Sequence, residues 1–148
     1  MAEARDEFMP APVYGRSLKG FGINLLVRDV DRSLAFLRDV LKVEVVYANR
    51  DFAVLAYVDQ QWMLHADHTY HSNPLLALTG DGALRGAGVE LHLYDLDPDQ
   101  AEARARAGGY HVLQEATNKP HGLRECYLVD PDGYVWVPAR PIPDEELP

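Results

Sequence analysis

Cysteine is almost absent from this chain: Cys126 is the only one in 148 residues. An intrachain disulfide is therefore excluded, and no CxxC pair or Cys/His zinc spacing occurs. Cys126 reads as a buried apolar filler. Long hydrophobic runs are also missing, since no stretch approaches the roughly 20 apolar residues that span a bilayer. Met1 to Pro10 carries Glu3, Asp6 and Glu7 where a secretory signal would be basic and apolar, so the expected location is the cytoplasm. Basic charge is scarce, with 14 Lys and Arg against 23 Asp and Glu, a net charge of -9 and a pI near 5.0. Proteins that bind nucleic acid or anionic membranes use clustered Lys and Arg to replace counterions. Neither is an expected partner.

What is present is an ordinary globular composition: 47% hydrophobic, 9% aromatic and 25% charged residues, which argues against disorder. A chain of this length buries roughly 70% of the surface it exposes when unfolded. That is the size of one compact domain or two small fused modules.

An internal repeat organises the chain. Residues 20 to 31 read GFGINLLVRDVD and residues 86 to 97 read GAGVELHLYDLD, an offset of 66. Gly20, Gly22, Leu25, Asp29 and Asp31 match Gly86, Gly88, Leu91, Asp95 and Asp97, and apolar residues match at Ile23/Val89, Val27/Leu93 and Val30/Leu96. Each copy continues into a helix. Val30, Leu34, Leu37 and Leu41 form the apolar stripe of the first. In the second, Asp97 is the N-cap, Pro98 opens the first turn, Gln100 is placed to complete a capping box, Glu102 and Arg106 pair at i,i+4, and Gly108-Gly109 stops the helix. Three strand-like runs then follow each helix, at 43–47, 52–58 and 61–65 and at 110–115, 123–129 and 134–137, separated by turn signals that include Asp130-Pro131-Asp132-Gly133.

The prediction is an α+β fold of two tandem βαβββ modules, 20–66 and 86–140, joined by a linker at 67–85. An N-terminal arm (1–19) and an acidic tail (141–148) flank them. The two GxG pairs precede their strands, whereas a dinucleotide fingerprint needs its glycines after a strand and at a helix N-terminus, so nucleotide binding is not expected.

The doubled unit with its Asp-apolar-Asp strand exit resembles the vicinal oxygen chelate superfamily, which holds glyoxalase I, extradiol dioxygenases and bleomycin-resistance proteins. GAGVELHLYDLD followed by KPHGLRECYLVDPDGYVW is similar to the bleomycin-resistance-like branch. The resemblance, over about residues 20 to 140, implies that each mostly antiparallel four-stranded sheet curls around a cavity with its helix on the outer face. Metal-using relatives place one ligand on the first and one on the last strand of each module. The corresponding positions here are Gly22, Met63, Gly88 and Val137, none of which offers a nitrogen or oxygen side-chain donor. No cofactor and no metal are expected.

Strand alternation assigns the faces. Ile23, Leu25 and Val27 point toward the first helix and Val89, Leu91 and Leu93 toward the second, leaving Gly22, Asn24 and Leu26, and Gly88, Glu90, His92 and Tyr94, inside. Glu125 and Tyr127 alternate with Cys126 and Leu128 and also face inward. Glu90 and Glu125 are either paired internally, with Arg124 or His92, or poised to attract a cation. Tyr94 and Tyr127 offer flat surfaces for stacking, with Tyr47 and Phe52 as further contributors of ambiguous parity. His65, two residues beyond Met63, lines the same face; His68 and His71 in HADHTYH read as a solvated loop. Trp62 and Trp136 occupy equivalent positions and read as core beneath the helices.

The ligand-binding set is thus Asn24, Met63, His65, Glu90, His92, Tyr94, Glu125 and Tyr127, with no catalytic residue assigned. The expected function is metal-independent binding of a cationic or aromatic small molecule, such as an antibiotic, by a homodimer. The rival readings are a lyase, isomerase or dioxygenase of the same superfamily with a metal relocated to His65, His92, Glu90 or Glu125, and a scaffold protein that no longer binds small molecules.

Overall fold

The computed structural model describes residues 8–69 and 74–148. Its two sheets each hold four strands, in the orders β1-β4-β3-β2 and β5-β8-β7-β6, and the sheets do not close. In the first module β1 (Asn24–Val27) leads into α2 (Val30–Asp39), followed by β2 (Glu44–Ala48), β3 (Phe52–Tyr57) and β4 (Gln60–Ala66). The second repeats the order as β5 (Glu90–Tyr94), α3 (Pro98–Ala107), β6 (His111–Asn118), β7 (Leu123–Val129) and β8 (Val135–Pro141). The first and last strands of each module pair in parallel and the remaining pairs are antiparallel. The predicted α+β architecture of tandem βαβββ modules is the one observed.

The stripe Val30, Leu34, Leu37 and Leu41 is buried to the last residue and packs on Leu25, Val27, Leu55 and Leu64. The cluster continues through Leu93, Ala101, Ala105, Cys126 and Leu128, so one core serves both modules. Trp62 and Trp136 belong to it, and their rings meet with centroids 5.6 Å apart. Cys126 is fully buried, and burial pushes its thiol up to about 12. Phe36 of α2 meets Tyr110 edge-on, and Arg104 Nε of α3 donates to the Val40 carbonyl at 2.9 Å.

The repeat slips between strand and helix. Asp29 caps α2 by accepting from Arg32 N at 3.1 Å, but α3 is capped by Asp97, which accepts from Asp99 N at 2.9 Å. Pro98 cannot donate and suits the first helical turn, which moves the cap two residues beyond Asp95. The shared glycines also do different work. Gly20 has φ +77 and open space around it, whereas a Cβ on Gly86 would lie 2.6 Å from Tyr134 Cα.

The Asp130-Pro131-Asp132-Gly133 turn joins the modules. Asp130 Oδ1 accepts the N–H groups of Asp132, Gly133 and Tyr134, and Oδ2 accepts Trp136 Nε1 at 3.1 Å. Asp132 reaches the first module, taking Arg28 N at 3.0 Å, Arg28 Nη1 at 3.2 Å and Ser33 Oγ at 3.3 Å. Beside it the Tyr134 hydroxyl donates to the Leu26 carbonyl at 2.8 Å. Arg85, whose side chain is 2% exposed, clasps Asp67 through two bonds of 2.6 Å.

Three details refine the expected pattern. The arm contains a short helix, α1 (Ala11–Ser17). Val89, expected on the helix face, is exposed instead, because β5 begins one residue later. Leu26 lies opposite His65 on the expected face but is covered there, 2% exposed, with its carbonyl accepting Arg85 Nη1 and the Tyr134 hydroxyl.

Candidate functional site

Cross-strand register settles which side chains share the face opposite the helices. In the second module Glu90, His92 and Tyr94 lie opposite Val135, Val137 and Ala139, and Glu125 also lies opposite Ala139. Among the described residues this face carries a cluster of four ionisable side chains. Glu125 is 2% exposed; its Oε2 lies 3.2 Å from His121 Nε2 and 3.8 Å from His92 Nδ1. His92 Nε2 in turn lies 3.1 Å from Glu90 Oε1, and Glu90 is 49% exposed. The order across the sheet is Glu90, His92, Glu125, His121, with acid and imidazole alternating.

Tyr127 stands beside this row. Burial, then a hydrogen bond to Glu90 and the charges of Glu90 and Glu125, push its hydroxyl up to about 12. Lys119 Nζ sits 5.4 Å from the Tyr127 ring centroid. Tyr94 stacks on His92, with centroids 5.5 Å apart, and leaves its other surface exposed; its carbonyl accepts the Tyr57 hydroxyl. A crevice of about 190 Å³ between the modules is lined by Tyr57, Trp62, Glu90, His92 and Trp136.

Arg124 does not reach Glu125, as one of the expected pairings required. It binds Asp99 of α3 through Nε and Nη2, both at 2.8 Å, on the opposite side of the sheet. Consecutive residues of a strand point to opposite faces, so Arg124 and Glu125 are kept apart by the pleat itself. The partner that sequence reasoning missed is His121, four residues earlier in the β6–β7 turn.

The first module gathers a different set. Asn24 and Leu26 lie opposite Met63 and His65, and Phe52 and Val54 opposite His65 and Met63. His65 Nδ1 is 2.5 Å from Asn24 Oδ1, and its ring lies 4.8 Å from that of Phe52. Burial lowers the pKa of His65, which favours the neutral ring. The expected binding residues therefore divide: Asn24, Met63 and His65 on one sheet, Glu90, His92, Tyr94, Glu125 and Tyr127 on the other. Tyr47 and Phe52 join the first group. His68 is an exposed residue bonded to Asp51 at 2.7 Å, and His71 lies outside the described residues.

The positions that correspond to the superfamily's metal ligands do not fit an ion. Gly22 and Gly88 precede their strands without side chains, Met63 lies opposite Asn24, and Val137 is fully buried opposite His92. His65 is on the other sheet from His92, Glu90 and Glu125, and among the described residues no three His, Cys, Asp or Glu side chains are grouped to hold a metal. Among the same residues no helix is long and apolar enough to cross a membrane.

Solved structures share the fold at low identity. A glyoxalase-related enzyme from Fulvimarina pelagi is 20% identical with a TM-score of 0.65, covering 87% of this chain and 96% of that one. A glyoxalase/bleomycin resistance protein/dioxygenase family enzyme from Burkholderia phytofirmans PsJN is 16% identical with a TM-score of 0.68, covering 81% and 96%. TioX from Micromonospora sp. ML1 is 19% identical with a TM-score of 0.61, covering 84% and 99%. No curated protein sequence matches the chain. Residues 22–137, which run from the glycine two residues before β1 to the middle of β8, match the family described as the Glyoxalase/Bleomycin resistance protein/Dioxygenase superfamily, and the chain belongs to it.

Proposed function

We propose that the protein is a metal-independent small-molecule-binding protein of the glyoxalase/bleomycin-resistance type. It acts in the cytoplasm as a homodimer and sequesters a cationic ligand with a planar group, such as an antibiotic. The observation that carries this reading is Glu125, a carboxylate 2% exposed whose ion-pair partners among the described residues are two imidazoles and no Lys or Arg. An imidazole is charged only when protonated, so it does not cancel a buried carboxylate as a guanidinium would. Glu90 adds a second carboxylate on the same face, and the net charge of -9 attracts cations from a distance.

Charge-assisted hydrogen bonds to such carboxylates contribute about 1.5–3 kcal/mol each, or roughly tenfold to a hundredfold in affinity. Calorimetric titration with bleomycin-like glycopeptides and simpler cationic aromatics tests the reading. Binding that weakens by that order in Glu125→Gln and Glu90→Gln, and weakens further with salt, supports it. Unchanged binding in both variants, or a preference for anions, refutes it.

A further inference from the structure

The first module presents a face of opposite character. Phe8, from the arm, lies flat on Tyr47 with ring centroids 4.3 Å apart and planes 16° from parallel. Tyr14 of α1 meets Phe8 at 5.1 Å and Phe52 edge-on at 6.2 Å. A cavity of about 520 Å³ remains in this aromatic nest, between Phe8 and Tyr14 on one side and Tyr47, Phe52, Met63 and His65 on the other. None of its lining residues is Asp, Glu, Lys or Arg. Its polar side chains are already used: Asn49 accepts from Asp51 N and Phe52 N and donates to the Tyr47 hydroxyl, and His65 Nδ1 lies 2.5 Å from Asn24 Oδ1. The size suits a molecule of two or three rings, and the walls offer stacking without charge.

Phe8 and Tyr14 are held there by their rings. Among the described residues no hydrogen bond or ion pair joins residues 8–20 to the strands. Tyr14 is the buried residue of α1, while Met9, Val13 and Leu18 are exposed. Beyond α1 the space continues into a second cavity of about 650 Å³ that shares Met9, Tyr14, Leu18 and Met63. The helix therefore lies across a groove with room on both sides.

We infer that the first module holds a second binding site, for an uncharged planar aromatic molecule that stacks on Tyr47 and Phe52, and that Phe8 occupies this site as an internal stand-in for the ligand. The ligand ring replaces Phe8 on Tyr47, where ring contacts hold Phe8 in place. This site is separate from the carboxylate face and does not depend on the function proposed for it.

The test uses the full chain and the neutral probe N-phenyl-1-naphthylamine, whose fluorescence rises in apolar surroundings. The expected result is saturable enhancement that survives Glu90→Gln and Glu125→Gln. Removing the competing ring with Phe8→Ala tightens binding about 2- to 10-fold, the fold-change that corresponds to one aromatic pair. Tyr47→Leu weakens binding by a similar factor. Far-ultraviolet circular dichroism of each variant confirms the fold. Three results overturn the inference: no saturable binding, binding abolished by the Gln variants, or affinity that is unchanged or reduced in Phe8→Ala.

Discussion

Trp62 and Trp136 touch across the junction of the two modules, centroids 5.6 Å apart, yet only Trp136 has a partner for its indole N–H. Trp136 Nε1 donates to Asp130, whereas among the described residues Trp62 Nε1 has no hydrogen-bond partner. Replacement by Phe should therefore be asymmetric. Trp62→Phe removes an unsatisfied donor, while Trp136→Phe leaves a buried carboxylate oxygen without one and costs about 1–3 kcal/mol more. Urea unfolding followed by circular dichroism measures the difference; equal losses would contradict it.

Asp132→Asn tests the inter-module clamp. The change weakens the carboxylate's bonds to Arg28 and Ser33 and leaves Arg85, 4.0 Å away and buried, with less compensating charge. The expected loss is on the order of 3 kcal/mol. Because one core spans both modules, the variant should still unfold in a single transition. Two separated transitions would show that the modules fold independently.

His65 sets a pH dependence. Its folded-state pKa lies below the ordinary imidazole value of about 6.5 because burial disfavours the charged ring. The unfolded chain therefore takes up this proton first, so the contribution to stability is full above about pH 6.5 and is lost as the pH falls below it. Asp130 acts in the opposite sense: burial raises it from 3.8 to about 6, so stability is regained as the pH falls from 6 toward 4. The His65→Gln variant isolates the first effect. Its thermal midpoint, measured from pH 7.5 to 5, should fall less than that of the wild type; parallel curves would place His65 outside the balance.

Tyr127 reports on the carboxylate face without any ligand. Burial is the first cause of its rise to about 12 and the hydrogen bond to Glu90 the second. Glu90→Gln should lower the tyrosinate titration of this residue, though not to the ordinary value near 10. A difference titration by ultraviolet absorbance between wild type and variant detects it, and coincident curves would mean that Tyr127 and Glu90 are not coupled.

The proposed homodimer rests on exposed apolar side chains beside open sheets. Phe21 is 90% exposed, and Val58, Val89 and Tyr94 are exposed as well, which is more than isolated surface residues require. Sedimentation at micromolar concentration should give twice the 16.6 kDa chain mass, and Phe21→Asp should shift the equilibrium toward monomer. A wild-type monomer would reject the assembly.

Much of the architecture was legible because periodicity is a local property. Alternation placed Leu25, Val27, Cys126 and Leu128 toward the helices and Glu125 and Tyr127 away from them, and the buried clusters agree. Alternation says which face a residue takes but not what covers that face. Glu90 and Tyr94 share the parity of Glu125 yet are exposed, and nothing in the pattern of residues 8–20 announced that Phe8 and Tyr14 would pack on the first sheet. Long-range partners were equally hidden. Asp132 was legible as a turn residue, but its bond to Arg28 joins positions 104 apart. The Arg124 pairing with Asp99 follows from face parity once applied strictly, and that signal was available.

The clasp of Arg85 on Asp67 closes the connection between the modules into a loop tied at its base. Covalent continuity through that loop thus adds little to what noncovalent contacts already secure. A single backbone cut between Leu78 and Gly82 leaves two fragments that share a core, a tryptophan pair and the Asp132–Arg28 bond. Cut there, the chain should hold together as a complex of two complementary halves.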